Sequence, residues 1–363
     1  MGRFSAARTP RFTRRRFVRN VSIAAGIVFS GLGARNFMTS TRRFPLSDHC
    51  DGRRFFNPRH HVNRNWLEVL KWKFTSKPAA WPDKIDLPPP PPLPPPPLDG
   101  TIAATWINHA TVLLQTRHGT LLTDPIFSER TSPVSWAGPQ RVHPPGVAWD
   151  HLPPVDVILL SHDHYDHCDM PTLRRFAAAP RPPLVITPLG NADLLHAAGF
   201  AASQIVELDW WEAHEINPGF FVRATPARHW SNRVSGSRNH RLWSGFFVHA
   251  GGRTAYYSGD TGYDDQMFKD VRAQCGQPDL GIIPIGAYEP RWFMAVQHCD
   301  PAEALRIHQE VGAQRSIGVH WGTFQLTDEA REAPVNGLEN ALRQASLPAE
   351  TFRVLQPGES LHV

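Results

Sequence analysis

Apolar and polar positions follow the periods of strands and helices along most of the chain. Short apolar runs predict strands, and amphipathic stretches between the later runs predict helices. The predicted strands are residues 101–107, 112–116, 120–123, 155–160, 185–187, 205–208, 220–225, 242–248, 254–258, 280–284, 316–319 and 352–355. The predicted helices are residues 171–178, 191–198, 301–311 and 338–345. This alternation predicts an α/β fold in which helices cover the outer faces of sheets.

A proline run precedes the alternating part of the chain. Every residue from 88 to 97 except Leu93 is proline, which requires an extended polyproline II conformation without a core of its own. We therefore place a catalytic domain at residues 99–363 and an N-terminal extension at residues 35–98. In the extension, residues 66–74 interleave apolar and aromatic side chains with lysines. This pattern predicts a short amphipathic helix that either packs on the domain or meets a lipid surface.

Residues 1–34 have the layout of an export signal. Arg14, Arg15 and Arg16 precede an apolar run rich in glycine and alanine at residues 21–33, as in a secretory signal. Paired arginines before Phe17 are similar to the twin-arginine type. The run is shorter than the roughly 20 residues of a transmembrane helix. We expect export to a periplasmic or membrane-associated location, with an uncleaved anchor or a basic unstructured tail as alternatives.

Charge and cysteine content exclude some classes of function. The formal net charge is +5, but residues 1–20 contain seven arginines and no acidic residue, so the remainder is close to neutral. A nucleic-acid partner is therefore not expected. The four cysteines lie far apart without a C-x-x-C pair, which argues against a disulfide framework or a structural zinc finger.

The most informative segment follows a predicted buried strand. Residues 159–169 read LLSHDHYDHCD and place His162, His164, Asp166 and His167 within six positions. They would lie in a loop at the C-terminal end of the strand, where α/β folds place chemistry. Imidazole and carboxylate ligands suit zinc, iron or manganese. Histidines can also cluster on a solvated loop, but four potential ligands directly after a buried strand favour a metal site.

Three more potential ligands follow later predicted strands. His229 comes after residues 220–225, Asp260 after residues 254–258, and His320 after residues 316–319. Each residue alone is a weak signal, but the recurrence of a strand followed by a ligand is informative. With the cluster they make seven candidates, enough for two metal ions that share one carboxylate.

Together these motifs resemble the metallo-β-lactamase superfamily, and within it the N-acylphosphatidylethanolamine-hydrolysing phospholipase D family. The metal motif is shared widely, whereas IGAYEPRWFM at residues 285–294 and HWGTF at residues 320–324 are more specific to that family. Further matching stretches are TWINHAT at 105–111, LTDPIF at 122–127, ELDWWE at 207–212 and GDTGY at 259–263. The resemblance implies a four-layer αβ/βα sandwich with a two-metal site between its sheets.

The resemblance also implies roles for individual residues. One zinc ion would be held by His162, His164 and His229, the other by Asp166, His167 and His320, and Asp260 would bridge them. Asp124 and His298 would lie near the site, the first behind the ligands and the second in contact with substrate.

Two positions depart from the family pattern. Asn108 replaces the glycine expected in the turn after the first strand, and asparagine tolerates the left-handed conformation expected there. Asp163 replaces an asparagine and would add negative charge beside the metals.

The activity implied by the resemblance is hydrolysis of N-acylphosphatidylethanolamine to N-acylethanolamine and phosphatidic acid. A metal-bound hydroxide would be the nucleophile, because two metal ions acidify bound water to a pKa of roughly 7. Asp166 would orient it, and His298 could protonate the leaving alkoxide. Arg141 and Arg291 are candidates for binding a phosphate oxygen, with surface ion pairing as the alternative. The phospholipid substrate makes peripheral membrane contact plausible.

Two other classes of function remain open. The same fold could hydrolyse a soluble substrate, such as a lactone or a small phosphodiester. A non-hydrolytic role, as a redox di-iron module or a structural metal binder, is less consistent with the residues. A redox module typically has a carboxylate where His164 stands, and a structural site keeps no open position. The sequence carries no signal for an oligomeric state.

Overall fold

The structure, a computed structural model, describes residues 42–59, 66–233 and 236–363, so the predicted export signal lies outside the described residues. The helices are α1 (Trp66–Thr75), α2 (Met170–Ala177), α3 (Ala192–Ala198), α4 (Met267–Cys275), α5 (Arg291–Met294), α6 (Pro301–Val311) and α7 (Ala333–Gln344). The strands are β1 (Ala103–Asn108), β2 (Thr111–Thr116), β3 (Gly119–Thr123), β4 (Val157–Leu159), β5 (Leu184–Pro188), β6 (Ile205–Leu208), β7 (Ala213–Asn217), β8 (Phe220–Thr225), β9 (Gly245–Ala250), β10 (Arg253–Tyr257), β11 (Leu280–Pro284), β12 (Arg315–Val319), β13 (Phe352–Arg353) and β14 (Ser360–His362).

The strands form two seven-stranded mixed sheets. The first has the order β14-β1-β2-β3-β4-β5-β6, and the second has the order β13-β12-β11-β10-β9-β8-β7. Each sheet begins as an antiparallel meander and continues as parallel strands from β3 to β6 and from β10 to β13. Parallel strands end at a common edge, so each sheet offers one edge at which loops can gather.

Buried side chains join the sheets and helices into four layers. The inner faces of the two sheets share one large core, to which Trp106, Val112, Phe246 and Ile282 contribute. Outside the first sheet, α2 and α3 pack through a second apolar cluster. Outside the second sheet, α4, α6 and α7 contribute apolar residues to the main core. The predicted αβ/βα sandwich is therefore confirmed.

Local sequence signals explain where α6 begins and ends. The Asp300 side chain accepts a hydrogen bond from the Glu303 backbone N–H at 2.8 Å, and the Glu303 side chain caps the Asp300 backbone in return. Pro301 takes the first helical position, and Gly312 ends the helix in a left-handed conformation. This capping box and C-terminal glycine stabilise both helix ends.

The N-terminal extension contacts the domain in several places. Phe44, Cys50 and Phe55 form a small core with Trp210 and Trp243. The proline run contains neither helix nor strand. The boundary near residue 99 stays a prediction.

Helix α1 confirms the predicted helix at residues 66–74 and lies on the domain without burying any residue. Trp72 stacks on Phe293 with ring centroids 5.0 Å apart, whereas Trp66 and Phe74 are 69% and 84% exposed. Among the described residues, no helix has the length and apolarity needed to cross a bilayer. The four cysteines, all described, form no disulfide.

Candidate metal centre

The structure brings the seven candidate ligands together at one end of the sandwich. The loop carrying His162 to His167 follows β4 in the first sheet, whereas His229, Asp260 and His320 come from loops after β8, β10 and β12 in the second. The ligands therefore gather where strand ends of both sheets meet, as the order of strand and ligand along the chain predicts. Five of the seven ligands are buried, whereas His164 and Asp166 are partly exposed.

The first half-site consists of His162, His164 and His229. The Nδ1 atom of His164 lies 2.9 Å from Nε2 of His162 and 3.1 Å from Nε2 of His229. One imidazole N–H cannot donate to both neighbours, and Nδ1 of His229 faces the carbonyl oxygen of Gln297 at 3.0 Å, which leaves the lone pair of a neutral ring on Nε2. The separations are close to the roughly 3.3 Å between ligand atoms around a tetrahedral ion with bonds of about 2.0 Å. These three nitrogens fit a metal ion.

The second half-site consists of Asp166, His167 and His320. The Asp166 Oδ2 atom lies 3.5 Å from Nε2 of His167 and 3.2 Å from Nε2 of His320. A carboxylate oxygen and two imidazole nitrogens are donors that zinc, iron and manganese accept. This half-site also fits a metal ion.

Asp260 lies between the two half-sites. Its Oδ2 atom is 3.1 Å from Nε2 of His167 and of His320, and 3.9 Å from Nε2 of His229. One carboxylate thus reaches ligands of both sets, which is the placement required of a bridging ligand.

The electrostatics of the centre favour a bound cation. Burial alone would raise the pKa values of Asp166 and Asp260, but the attraction of His167 lowers both well below their ordinary range. Burial would likewise lower the pKa of His320, but Asp260 and Asp166 raise it to about 9. The carboxylates therefore remain ionised, and a positive charge balances them, either as protonated His167 and His320 or as a metal ion in their place.

Asp124 lies behind the ligands, as the family resemblance implies. Its carboxylate accepts hydrogen bonds from Nδ1 of His167 at 2.6 Å, from the backbone N–H of Ser161 at 2.7 Å and from the Tyr257 hydroxyl. Because a carboxylate only accepts, it places the His167 proton on Nδ1 and directs the Nε2 lone pair into the centre.

His298 lies beside the bridging carboxylate. Its Nδ1 atom is 3.8 Å from Asp260 Oδ2, and its ring centroid is 5.1 Å from that of His229. Burial lowers its pKa well below the ordinary value, yet 11% of the side chain is exposed, more than that of His167 or His320. His298 is therefore more exposed than these two ligands, though less exposed than Asp166, at 14%.

The two arginines considered as phosphate ligands have protein partners, although Nη1 of Arg141 is buried without one. Arg141 is buried and donates to the carbonyl oxygens of Ser128 and Ile126 at 2.9 and 3.1 Å. Arg291 donates to Glu303 at 2.6 Å and to the carbonyl oxygen of His298 at 2.9 Å. Arg141 thus braces a loop, and Arg291 forms an ion pair that also holds the backbone of residue 298.

Two expectations drawn from the family pattern need correction. The left-handed residue of the turn after β1 is His109, with a φ of 43°, whereas Asn108 ends the strand and donates to the carbonyl oxygen of Ile126. The Asp163 carboxylate faces away from the ligands, since Oδ2 lies 3.4 Å from the Arg241 guanidinium and Oδ1 accepts from a backbone N–H. Arg241 offsets its charge.

Sequence reasoning missed two residues that contact the centre. Tyr257, the last residue of β10, donates to Asp124. His109 lies 3.1 Å from Asp166, and burial lowers its pKa to about 3. Both residues lie within or next to segments that carry the family resemblance, which was the available signal.

Comparison with known proteins agrees with this geometry. Residues 120–321 match the beta-lactamase superfamily domain. The chain is 40% identical over 264 residues to N-acyl-phosphatidylethanolamine-hydrolyzing phospholipase D 1 of Caenorhabditis elegans, covering 70% of this chain and 74% of that protein. It is 36% identical over 301 residues to an uncharacterized protein of Mycobacterium tuberculosis, covering 82% and 78% of the two chains.

A solved structure supports the fold independently. The isothiocyanate hydrolase from Delia radicum gut bacteria superposes with a TM-score of 0.57 at 20% identity, covering 71% of this chain and 98% of that one. At this identity the likeness concerns the fold alone. The family match and the curated relatives establish that the chain belongs to the metallo-β-lactamase superfamily of metal-dependent hydrolases, close to the N-acylphosphatidylethanolamine-hydrolysing phospholipases D.

Proposed function

We propose that this protein is a phosphodiesterase of the phospholipase D type with two zinc ions. It hydrolyses N-acylphosphatidylethanolamine-like lipids to N-acylethanolamine and phosphatidic acid. The observation that carries the proposal is the 40% identity over 264 residues to a relative named for this reaction. The seven converging ligands support it, because their nitrogen and oxygen donors suit zinc and phosphodiester chemistry.

Two zinc ions in the half-sites would acidify a water molecule and polarise a phosphoryl oxygen. The chain supplies the arrangement around them. Asp260 holds the two half-sites at a fixed separation, and Asp124 keeps the Nε2 lone pair of His167 directed into the centre. His298, on the more exposed side, donates a hydrogen bond to the leaving oxygen of the substrate.

The headgroup preference follows from charge. N-acylation removes the ammonium charge of ethanolamine, so the leaving group enters the centre as a neutral amide. Ordinary phosphatidylethanolamine keeps its ammonium group and would desolvate a cation beside two metal ions. We therefore expect it to be the poorer substrate.

The membrane contact is proposed for α1. The helix and its flank carry three lysines, Lys71, Lys73 and Lys77, which suit an anionic lipid surface. The Lys71 ammonium lies 4.7 Å from the ring centroid of Trp292, which is 40% exposed and belongs to α5. The proposed lipid-facing surface consists of α1 and Trp292. Since α5 leads directly to His298, this surface adjoins the entry to the centre.

Hydrolysis in oxygen-18 water tests the reaction. Zinc-loaded protein should convert N-acylphosphatidylethanolamine and place the label in phosphatidic acid, because attack occurs at phosphorus. Label in the hydroxyl of the N-acylethanolamine would mean attack at carbon. Turnover of lactones or small phosphodiesters, without turnover of any N-acyl phospholipid, would instead favour the soluble-substrate hydrolase.

Vesicle binding tests the lipid-facing surface. Replacing Trp66 and Phe74 by Asn should weaken binding to anionic vesicles by at least about tenfold, because each buried aromatic contributes roughly 1.5–3 kcal/mol. Leu46→Asn is the matched control, since Leu46 is 80% exposed in another segment. Equal binding by the double variant and the control would remove α1 from the membrane contact.

Export through a twin-arginine-type signal is a separate proposal that rests on residues 1–34. Replacing Arg14, Arg15 and Arg16 by Lys should retain the protein in the cytoplasm. Cell fractionation checks this, and normal amounts of the replaced form in the periplasm would contradict it.

A further inference from the structure

His109 occupies the turn between β1 and β2, outside the seven candidate ligands. It is 1% exposed and takes a φ of 43°, in the left-handed region that few residues other than glycine adopt, histidine being among the more frequent of these. Such a conformation persists where surrounding contacts hold the residue in place. The contacts of His109 therefore indicate the structural role of this turn.

Those contacts join His109 to two ligands of the second half-site. Its Nε2 atom lies 3.1 Å from Asp166 Oδ2. Its backbone carbonyl oxygen accepts the N–H of His320 at 2.9 Å, and its ring centroid lies 4.0 Å from that of His320. Asp166 belongs to the loop after β4 and His320 to the loop after β12, so one residue of the β1–β2 turn connects both sheets at the centre.

The surrounding residues hold His109 in this orientation. Its backbone N–H donates to the Thr323 hydroxyl at 2.9 Å, and its carbonyl oxygen also accepts the indole N–H of Trp106 at 2.9 Å. As a hydrogen bond, the contact with Asp166 requires the ring proton of His109 on Nε2, because a carboxylate only accepts. A nitrogen that carries this proton cannot also bind a metal.

We propose that His109 is a positioning residue of the second half-site. Its Nε2–H holds the Asp166 carboxylate and its carbonyl oxygen holds the backbone of His320. This inference rests on the two-metal centre of the proposed function. Without the Nε2–H, Asp166 can rotate away from His320, and the second ion loses a ligand of fixed orientation.

Metal release from purified, zinc-loaded protein tests the proposal without using turnover. In the wild type, a chromogenic chelator should withdraw two ions per chain. In His109→Ala, one of the two ions should leave about 10–100-fold faster, the usual effect of losing a group that orients a ligand. His109→Gln can place an amide N–H near the same point but binds zinc poorly, so its release rates should stay close to those of the wild type.

His143→Ala is the matched control. His143 is buried and also contacts the Thr323 hydroxyl, at 3.0 Å, but no candidate ligand. Release rates are expressed per folded chain, so that a loss of stability does not count, and they should be those of the wild type. Wild-type rates in His109→Ala would overturn the inference, and equal acceleration in the Ala and Gln variants would make His109 a direct ligand instead. If the wild type holds only one ion, the result contradicts the two-metal centre of the proposed function, and not the positioning role of His109.

If His109→Ala does not fold, the unaltered protein still decides the question. In isotope-labelled, cadmium-loaded protein, with His109 assigned through His109→Gln, the ring should show an Nε2–H signal and no nitrogen–cadmium coupling. Coupling at His109 would overturn the positioning role.

Discussion

A histidine lies between two carboxylates in two distinct regions of this molecule. In the segment 42–59, His49 lies between Asp48, 2.6 Å from Nδ1, and Asp209, 2.8 Å from Nε2. At the metal centre, His167 lies 2.6 Å from Asp124 through Nδ1 and 3.1 Å from Asp260 through Nε2. The local chemistry of the two histidines is the same.

The two regions differ in what surrounds the pair. Each nitrogen of His49 has a carboxylate oxygen of its own, and Asp48 is 83% exposed to water. At the centre, the Nε2 atoms of His167 and His320 share the oxygens of Asp166 and Asp260. A histidine–carboxylate pair is complete as an ion pair in the first region, whereas the second requires a further cation.

Removing Asp260, the carboxylate between the two half-sites, should give the largest effect and tests whether the centre depends on a bound cation. Asp260→Ala should lower turnover by more than the roughly 100-fold that loss of an outer partner costs, because both half-sites lose a ligand. Circular dichroism should show a retained fold, and elemental analysis should find fewer than two metals per chain. Asp279→Ala, which removes a carboxylate paired with Arg253 at 2.7 Å, is the control. A fully active Asp260→Ala protein would remove the two-metal mechanism.

Withdrawing the metal should affect the centre more than the segment 42–59, whose Asn57 donates to the backbone carbonyl oxygen of His229 at 2.8 Å. An ion present at 100 times its dissociation constant stabilises the folded state by about 2.7 kcal/mol. Chelation should therefore lower the melting temperature by about 5 °C or more, and added zinc should restore it. Amide protection at Phe55, whose N–H donates to the Asn239 carbonyl, should not change below the transition. An unchanged melting temperature would mean that the centre is complete without metal.

Asp124→Asn tests the hydrogen bond that orients the metal ligand His167. The amide keeps the shape but no longer fixes the His167 proton on Nδ1, so turnover should fall about 10–100-fold. The control is Asp156→Asn, because Asp156 accepts the backbone N–H of Thr120 at 2.9 Å away from the centre. Equal activities in the two variants would show that Asp124 does not orient the ligand.

Local signals determined how much of the fold could be predicted. Helix α6 was predicted with its observed bounds because a capping box and a glycine mark its ends. Strands β7 and β14 were not predicted, since the first is a largely exposed edge strand and the second has three residues. Helices α4 and α5 were also missed, because α4 buries two side chains and α5 has four residues.

The residues of the metal centre were likewise predictable only where a local sequence signal marks them. Its ligands were predictable because four of them lie within one loop and the others directly follow or lie near strand ends. His109 was not, because its contact with Asp166 joins positions 57 apart in sequence. The contacts of Arg141 were not predictable either, because the carbonyl oxygens that hold it are set by the loop fold. Residue type indicates what a side chain can bind, and the tertiary fold decides which partner it meets.

The smallest expected effect concerns pH at His49. Burial alone would lower its pKa, but hydrogen bonds to Asp209 and Asp48 raise it above the ordinary value of 6.5. The charged ring therefore stabilises the docked segment fully below pH 6.5, and this contribution is lost as pH rises through the higher pKa of the folded state. Since the ring stacks on Trp210 with centroids 4.4 Å apart, its deprotonation loosens the segment at the small core of Phe44 and Phe55.

Hydrogen exchange resolves this effect from global unfolding. Protection at Phe56, whose N–H donates to the His49 carbonyl oxygen at 2.9 Å, should decrease across that pH window once intrinsic exchange rates are corrected. His49→Gln keeps a polar side chain but does not titrate, so its protection should be lower at acidic pH and independent of pH in the window. The same decrease in the variant would assign the pH effect to another group. At the metal centre no such loosening should occur, because bound ions occupy the positions that protons would otherwise take beside His167.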